Sequence, residues 1–234
     1  MSRRLVLNAD DFGYDPAVTA GIVEAMTMGV VSSTTMIVNS PWSSGAAERS
    51  AGLSVGLHLN LVRFEAVSEP GRVLEEQALS SLSADFVAKE TQAQLSKLES
   101  LLGRRPTHVD VHKHAHREPA VLEGLARTAR AWGLSVRSIS DGMRAALRAR
   151  GVGTNDAFLG DAGLEAYWTL ERFEAQLDCL PAHGLVELMC HPGHRPSHVT
   201  SGYGAQREVE LATFVDPRAR AALVKRGLVF QGWA

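Results

Sequence analysis

Short apolar runs alternate along the chain with longer stretches in which apolar residues return every three or four positions. The first pattern suits strands and the second suits amphipathic helices. Strands are predicted at 4–9, 33–38, 54–59, 108–112, 135–138, 186–190 and 228–231, and helices at 16–29, 84–102, 118–132, 170–180 and 217–226. The last helix is the best punctuated, with Asp216 to cap it, Pro217 in its first turn and Gly227 to end it. Strand and helix in regular succession predict βα units around a mostly parallel sheet.

Polar residues interrupt this pattern at one kind of place. Asn8, Asp10, Asp11, Asn39, His58, Asn60, Asp110, His112 and His191 fall at or just beyond the C-terminal ends of predicted strands. A closed barrel gathers those ends at one mouth, whereas an open doubly wound sheet spreads them along a line. The expected fold is therefore α/β, a distorted TIM-like (β/α) barrel forming one catalytic domain over 1–234. Two connections, about 61–83 and about 194–206, are long enough to be lids, and the second, rich in Gly, Ser, His and Pro, is expected to border the site.

Composition then acts mainly by exclusion. With 234 residues, 45% of them hydrophobic, the chain can bury a sizeable core as one domain. A net charge of −2 with nine neutral histidines gives no basic surface for nucleic acid or an anionic membrane. Asn8, Asp10 and Asp11 break the first apolar run, so neither a signal peptide nor a membrane span is expected and the predicted address is cytoplasmic. Cys179 and Cys190 form no CxxC pair and are read as reduced and structural. A homodimer stays open on these grounds.

Four clusters carry candidate chemistry. Asp10 and Asp11 are adjacent anions at a strand end, where a cation between them relieves their repulsion; capping of a helix near Pro16 accounts for one of them but not both. In Gly56-Leu57-His58-Leu59-Asn60, alternation places His58 and Asn60 on one face. If the fourth strand continued, His108, Asp110, His112, His114 and His116 would share a face and crowd it with imidazole, the commonest metal ligand. Asp110 then suits the outer position that orients a ligating histidine. His191 ends another apolar strand before a Pro-Gly turn. One carboxylate with two imidazoles leaves coordination positions open, as catalytic rather than structural sites do, and accepts one divalent ion: zinc, iron, cobalt, nickel or manganese, with magnesium less suited to imidazole.

Asn-Ala-Asp-Asp-Phe-Gly at 8–13, Ser-Ser-Thr-Thr-Met at 32–36, Gly-Leu-His-Leu at 56–59, Pro-Thr-His-Val-Asp-Val-His-Lys-His-Ala-His at 106–116 and Glu-Leu-Met-Cys-His-Pro-Gly at 187–193 occur in order along most of the chain. Together they closely resemble the YdjC-like carbohydrate deacetylases, the family that includes chitooligosaccharide deacetylases and proteins associated with hopanoid synthesis. The resemblance implies a distorted TIM-like barrel that hydrolyses an N-acetyl group on an amino sugar or oligosaccharide. It implies metal ligation by Asp11, His58 and His112, catalysis by Asp10, and a site role for His191; on chemical grounds Asp10 is the expected base and His191 the expected proton donor, a role open to His114 as well. Asp110, His114 and Asn60 are the expected substrate-binding or supporting residues, and a backbone N–H near 32–35 is a candidate for steadying the oxyanion. A metal-dependent phosphoesterase or amidohydrolase on a similar barrel, and a sugar-binding protein without turnover, are the alternatives.

Overall fold

The first predicted strand becomes the axis of the sheet. In the computed structural model, which describes residues 4–160 and 168–233, β1 (Arg4–Phe12) pairs with β2 (Ser33–Met36) on one edge and β7 (Leu185–Cys190) on the other. Beyond β2 follow β3 (Val55–Leu59), β4 (His108–Val111) and β5 (Ser135–Val136); β6 (Ala157–Leu159) flanks β7, and β8 (Val229–Phe230) joins the first residues of β1. All of these pairings are parallel. Leu5, Leu7 and Ala9 belong to the core that also holds Val18 and Ile22, while Asn8 turns the other way and donates to Thr35 Oγ1 at 3.2 Å. Burial on both faces is why the strands read as near-continuous apolar runs.

The sheet curls into the expected distorted TIM-like barrel, and its two ends meet across a seam. Between β5 and β6 the Val136 N–H donates to the Gly153 carbonyl at 2.9 Å. The Asn155 amide does the rest, accepting from the Ser138 N–H at 2.7 Å and donating to the carbonyls of Ser138 and Ala157, both at 2.9 Å.

The helices are α1 (Pro16–Thr27), α2 (Ser43–Glu48), α3 (Ala84–Leu102), α4 (Pro119–Trp132), α5 (Asp141–Ala149), α6 (Leu170–Asp178), α7 (Gly204–Val215) and α8 (Pro217–Lys225). The cap of α8 is as predicted, with Asp216 accepting from the Arg218 N–H. Sequence patterning misses β6, which has three residues, and α2, which is built from Ser, Gly, Ala and Glu. It also misses α5, where only Met143 and Leu147 are buried, and α7, whose Tyr203 cap makes no side-chain bond. The second long connection therefore ends at Tyr203, and Gln206 lies within a helix. Among the described residues no helix is long and apolar enough to cross a membrane; residues 1–3, at the start of the segment read for a signal peptide, lie outside them. Cys190 is buried and Cys179 exposed, both unpaired.

Asp15 ties the fold to the mouth of the barrel. One of its oxygens accepts from the Ala17 N–H at 2.8 Å, capping α1, and the other accepts from the N–H groups of Ser197 and His198 at 3.2 and 2.8 Å. Asp15→Ala is expected to lower stability by about 1–2 kcal/mol, the upper range for a lost cap, and to raise amide exchange at Ser197 and His198; denaturant unfolding and hydrogen exchange check both.

Candidate functional site

Two adjacent residues of a regular strand face opposite ways, so the neighbouring aspartates need a break in β1 to serve one mouth. The register against β2 shifts between Ala9 and Phe12, and Asp11 adopts φ 73°, in the left-handed region. This bulge runs β1 three residues past its predicted end and lets both carboxylates line the same cleft.

Asp11 is brought together with His58 from the end of β3 and His112 from the turn after β4. Asp11 Oδ1 lies 3.3 Å from His58 Nε2 and 3.1 Å from His112 Nδ1, and the two ring nitrogens are 3.1 Å apart. Donors sharing one first-row ion at about 2.0–2.2 Å sit roughly 3–3.5 Å from one another, so the set fits a single cation. Asp11 Oδ1 is moreover buried with no hydrogen-bond partner. Asp11 Oδ2 is taken by Arg207 of α7 at 2.5 Å, which leaves one oxygen facing the imidazoles. Burial alone would raise the Asp11 carboxyl, but Arg207 and the imidazoles hold it well below the usual carboxylate range. Burial alone would lower His58, yet Asp110, Asp11 and Asp10 push it up to about 10. The pocket favours positive charge at this point.

A second group of donors, Asp10, His58 and Asp110, also lies close together. Its atoms are already committed. Arg137, at the end of β5 and fully buried, donates to both oxygens of Asp10 at 2.7 Å, to Asp110 at 2.8 Å and to Glu187 at 2.8 Å. Asp110 Oδ1 contacts His58 Nδ1 at 2.5 Å, the outer-sphere arrangement expected of it. Burial pulls Asp10 upward, but Arg137 more than offsets it and leaves the carboxyl well below its ordinary value.

The other predicted residues divide. His191 lines the cleft beside Tyr203, with ring centroids 5.1 Å apart. His114 lines it too, but Lys113 and His114 adopt φ 53° and 52° in a 3₁₀ turn, so the expected single face of alternating residues ends at Val111. His108 does not line the cleft and stacks on Trp233, with ring centroids 4.8 Å apart. Asn60 does not line the cleft: its amide bonds Asn39, the Arg63 carbonyl and the Val62 N–H, and it shapes the loop that carries Arg63. The N–H groups of Ser32 and Thr34 are spent on the carbonyls of Leu7 and Ser54, which removes those two from the candidate oxyanion donors at 32–35. Arg137, Arg207 and Glu187 were missed. A lone arginine in the short predicted strand 135–138 was the available signal for Arg137; nothing local marks Arg207.

The cleft, about 700 Å³, is closed on one side by Thr200, Ser201 and Tyr203, so the second long connection does border it. Beneath, Glu210 accepts from the His191 backbone N–H, and burial raises its carboxyl from 4.5 to about 7. A raised carboxyl favours the folded state when protonated, so stability falls as the pH rises from the unfolded value through the folded one. At about 1.4 kcal/mol per pH unit, the rise from 4.5 to about 7 corresponds to about 3 kcal/mol. Glu210→Gln should therefore lose less stability than the parent between pH 5 and 8, as read by melts across that range.

Comparisons with known proteins agree with this architecture. The family model described as YdjC-like protein matches residues 4–225. A chitooligosaccharide deacetylase of Serratia marcescens is 35% identical, covering 98% of this chain and 97% of its own, and a carbohydrate deacetylase of Geobacillus stearothermophilus is 32% identical, covering 97% and 96%. A crystal structure from Enterococcus faecalis V583, described as a candidate cellobiose-phosphate cleavage protein, superposes with a TM-score of 0.86 at 29% identity over 100% of this chain and 98% of that one. The chain belongs to the YdjC-like family.

Proposed function

We propose that the protein is a metal-dependent hydrolase that removes an N-acetyl group from an amino sugar or oligosaccharide. The observation that carries the reading is the convergence of Asp11 Oδ1, His58 Nε2 and His112 Nδ1 within 3.1–3.3 Å of one another. These three residues would hold one divalent ion, which when bound polarises the acetyl carbonyl and makes water a better nucleophile. The relatives named as deacetylases supply the bond type.

Asp10 acts as the base in this reading. Arg137 keeps it ionised, so a carboxylate stands at the cleft to accept the proton of the attacking water, while the same contact lowers its strength as a base. The carbonyl carbon gains the water's oxygen, the C–N bond breaks, and the amine nitrogen leaves with a proton from His191 in its protonated form, the ring having taken up the proton that Asp10 removed from the water. Burial lowers both rings, His191 to about 4 and His114 to about 2, so either must take up a proton during the reaction before it can give one; Asp10 and Asp11 both act on His191, which supports it as the donor. A two-ion phosphoesterase would need the second donor group, and its carboxylates are tied to Arg137.

The test is acetate release from a panel of N-acetylated amino sugars, using protein whose metal has been assayed, stripped and restored one ion at a time. Activity that vanishes on chelation and returns with a single equivalent is the expected result. Chelation should also lower the melting temperature, since an ion held at 100 times its Kd adds about 2.7 kcal/mol. Metal-verified protein that releases acetate from nothing in the panel rejects the reading.

A further inference from the structure

The Arg137 guanidinium has two edges that can each seat a carboxylate, one at Nη1 and Nη2 and the other at Nε and Nη2, and the barrel fills both. Nη1 and Nη2 donate to the two oxygens of Asp10 at 2.7 Å. Nε and Nη2 reach a single oxygen of Glu187, Oε1, at 2.8 Å each. Among the described residues Nε has no other acceptor. Glu187 comes at Arg137 from within the barrel. It sits in β7 opposite Val6 of β1, four residues before Asp10, and is fully buried. It does not line the cleft and makes no hydrogen bond to Asp11, His58 or His112.

An anchor here has a definite use, because the mouth offers Arg137 two partners. Asp110 lies 2.8 Å from Nη2, and the Asn8 amide donates to both Asp10 and Asp110, at 2.9 and 3.4 Å, so the two carboxyls stand side by side. A planar fork on a long, rotatable stem can pair with such neighbours in several ways. Fixing the Nε edge selects one of them and leaves the other edge facing Asp10. What Glu187 contributes is reach rather than charge. Burial raises its carboxyl from 4.5 to about 7 against the pull of Arg137, so the neutral form is readily taken near neutrality. Its Oε2 is buried without a hydrogen-bond partner, and Oε1 alone makes the contact.

We propose that Glu187 is a positioning residue that, by holding the Nε edge of Arg137 from inside the barrel, aims the other edge at Asp10 and so fixes where that carboxylate stands in the cleft. This rests on the deacetylase reading above and adds to it the residue that sets the place of the base.

The experiment opposes reach to charge. Metal-loaded parent, Glu187→Gln and Glu187→Asp are compared on the acetylated sugar that the parent turns over fastest. Glutamine keeps an oxygen at the position of Oε1 and loses the charge, whereas aspartate keeps the charge and is one methylene too short to meet Nε. Glu187→Asp is expected to lose about 10–100-fold in kcat, as a displacement of about 1 Å does, with KM and ion content unchanged. Glu187→Gln should keep most of the parent's kcat. A general loosening of the fold would instead lower ion content and raise KM along with the loss of turnover. A glutamine variant as slow as the aspartate one overturns the proposal, as does an aspartate variant as fast as the parent or one whose loss extends to KM or ion content. If the parent releases no acetate from any sugar, the deacetylase reading fails and NMR decides the anchor separately. The Arg137 Nε–H resonance, assigned by its absence from Arg137→Lys, is expected to be protected from exchange in the parent and Glu187→Gln. In Glu187→Asp it should exchange about tenfold faster, the size of one lost charge-assisted hydrogen bond. Equal protection in all three proteins, or its loss from the glutamine variant too, removes the anchor.

Discussion

Replacing Arg137 by Met is expected to cost about 3–5 kcal/mol, the usual result of removing one partner from a buried ionic cluster. The size follows from what is left behind. Arg137 is fully buried and faces Asp10, Asp110 and Glu187, so its loss strands three carboxyl groups where water cannot reach them. For a chain of this length the melting temperature should fall by roughly 6–20 °C. The pH dependence has a definite sign. Asp10 is held below its ordinary value of 3.8, so the stability it contributes is present above that pH and is lost as the pH falls toward the folded value. The gap between parent and variant should accordingly be widest near neutrality and narrow below about pH 4. Arg137→Lys, which keeps a charge but not the planar fork, should fold better than the Met variant and still turn over poorly. A Met variant that melts within about 2 °C of the parent, against the shift expected from the cluster, would mean that the hub carries no net stability.

The second large effect concerns Asp10 alone. Asp10→Asn keeps the shape of the side chain and leaves Asp11, His58 and His112 untouched, so metal content should stay at about one ion per chain, as a three-ligand catalytic site holds. Turnover should drop by about 10²–10⁴, the range that general-base catalysis supplies. Elemental analysis and acetate release on the same preparation separate the two roles. Asp11→Asn should behave in the opposite way, losing ion first and activity in consequence. A fully active Asp10→Asn protein would remove the proposed base.

Much of this was legible in the sequence because strand ends announce themselves. Asp10, Asp11, His58, His112 and His191 each interrupt or terminate an apolar run, and in a parallel barrel such interruptions meet at one end. The histidine-rich segment was legible only in part. Period two holds while the strand lasts, but the left-handed residues Lys113 and His114 redirect the chain, and two residues of one sign in that region are not foretold by residue type. Arg137 and Arg207 were harder because arginine is ordinarily a surface residue; their burial follows from partners distant in sequence, among them Asp10 and Asp11, each more than a hundred positions away. Asn60 misled for a related reason. Its place beyond a strand end was read correctly, but an amide in that position serves loop geometry as readily as chemistry.

The backbone turn at residue 11 has a consequence for how this protein can change. Glycine, asparagine and aspartate enter that conformation most readily, and of the three only aspartate brings a negative oxygen. Glutamate, which would serve an ion equally well in solution, is disfavoured there by the shape of the main chain, and histidine enters it only where its surroundings hold it, as they hold His114. A library randomised at this codon should therefore return aspartate in strong preference, whereas one randomised at His58, on regular extended backbone within β3, would be filtered by side-chain chemistry and fit rather than by the main chain.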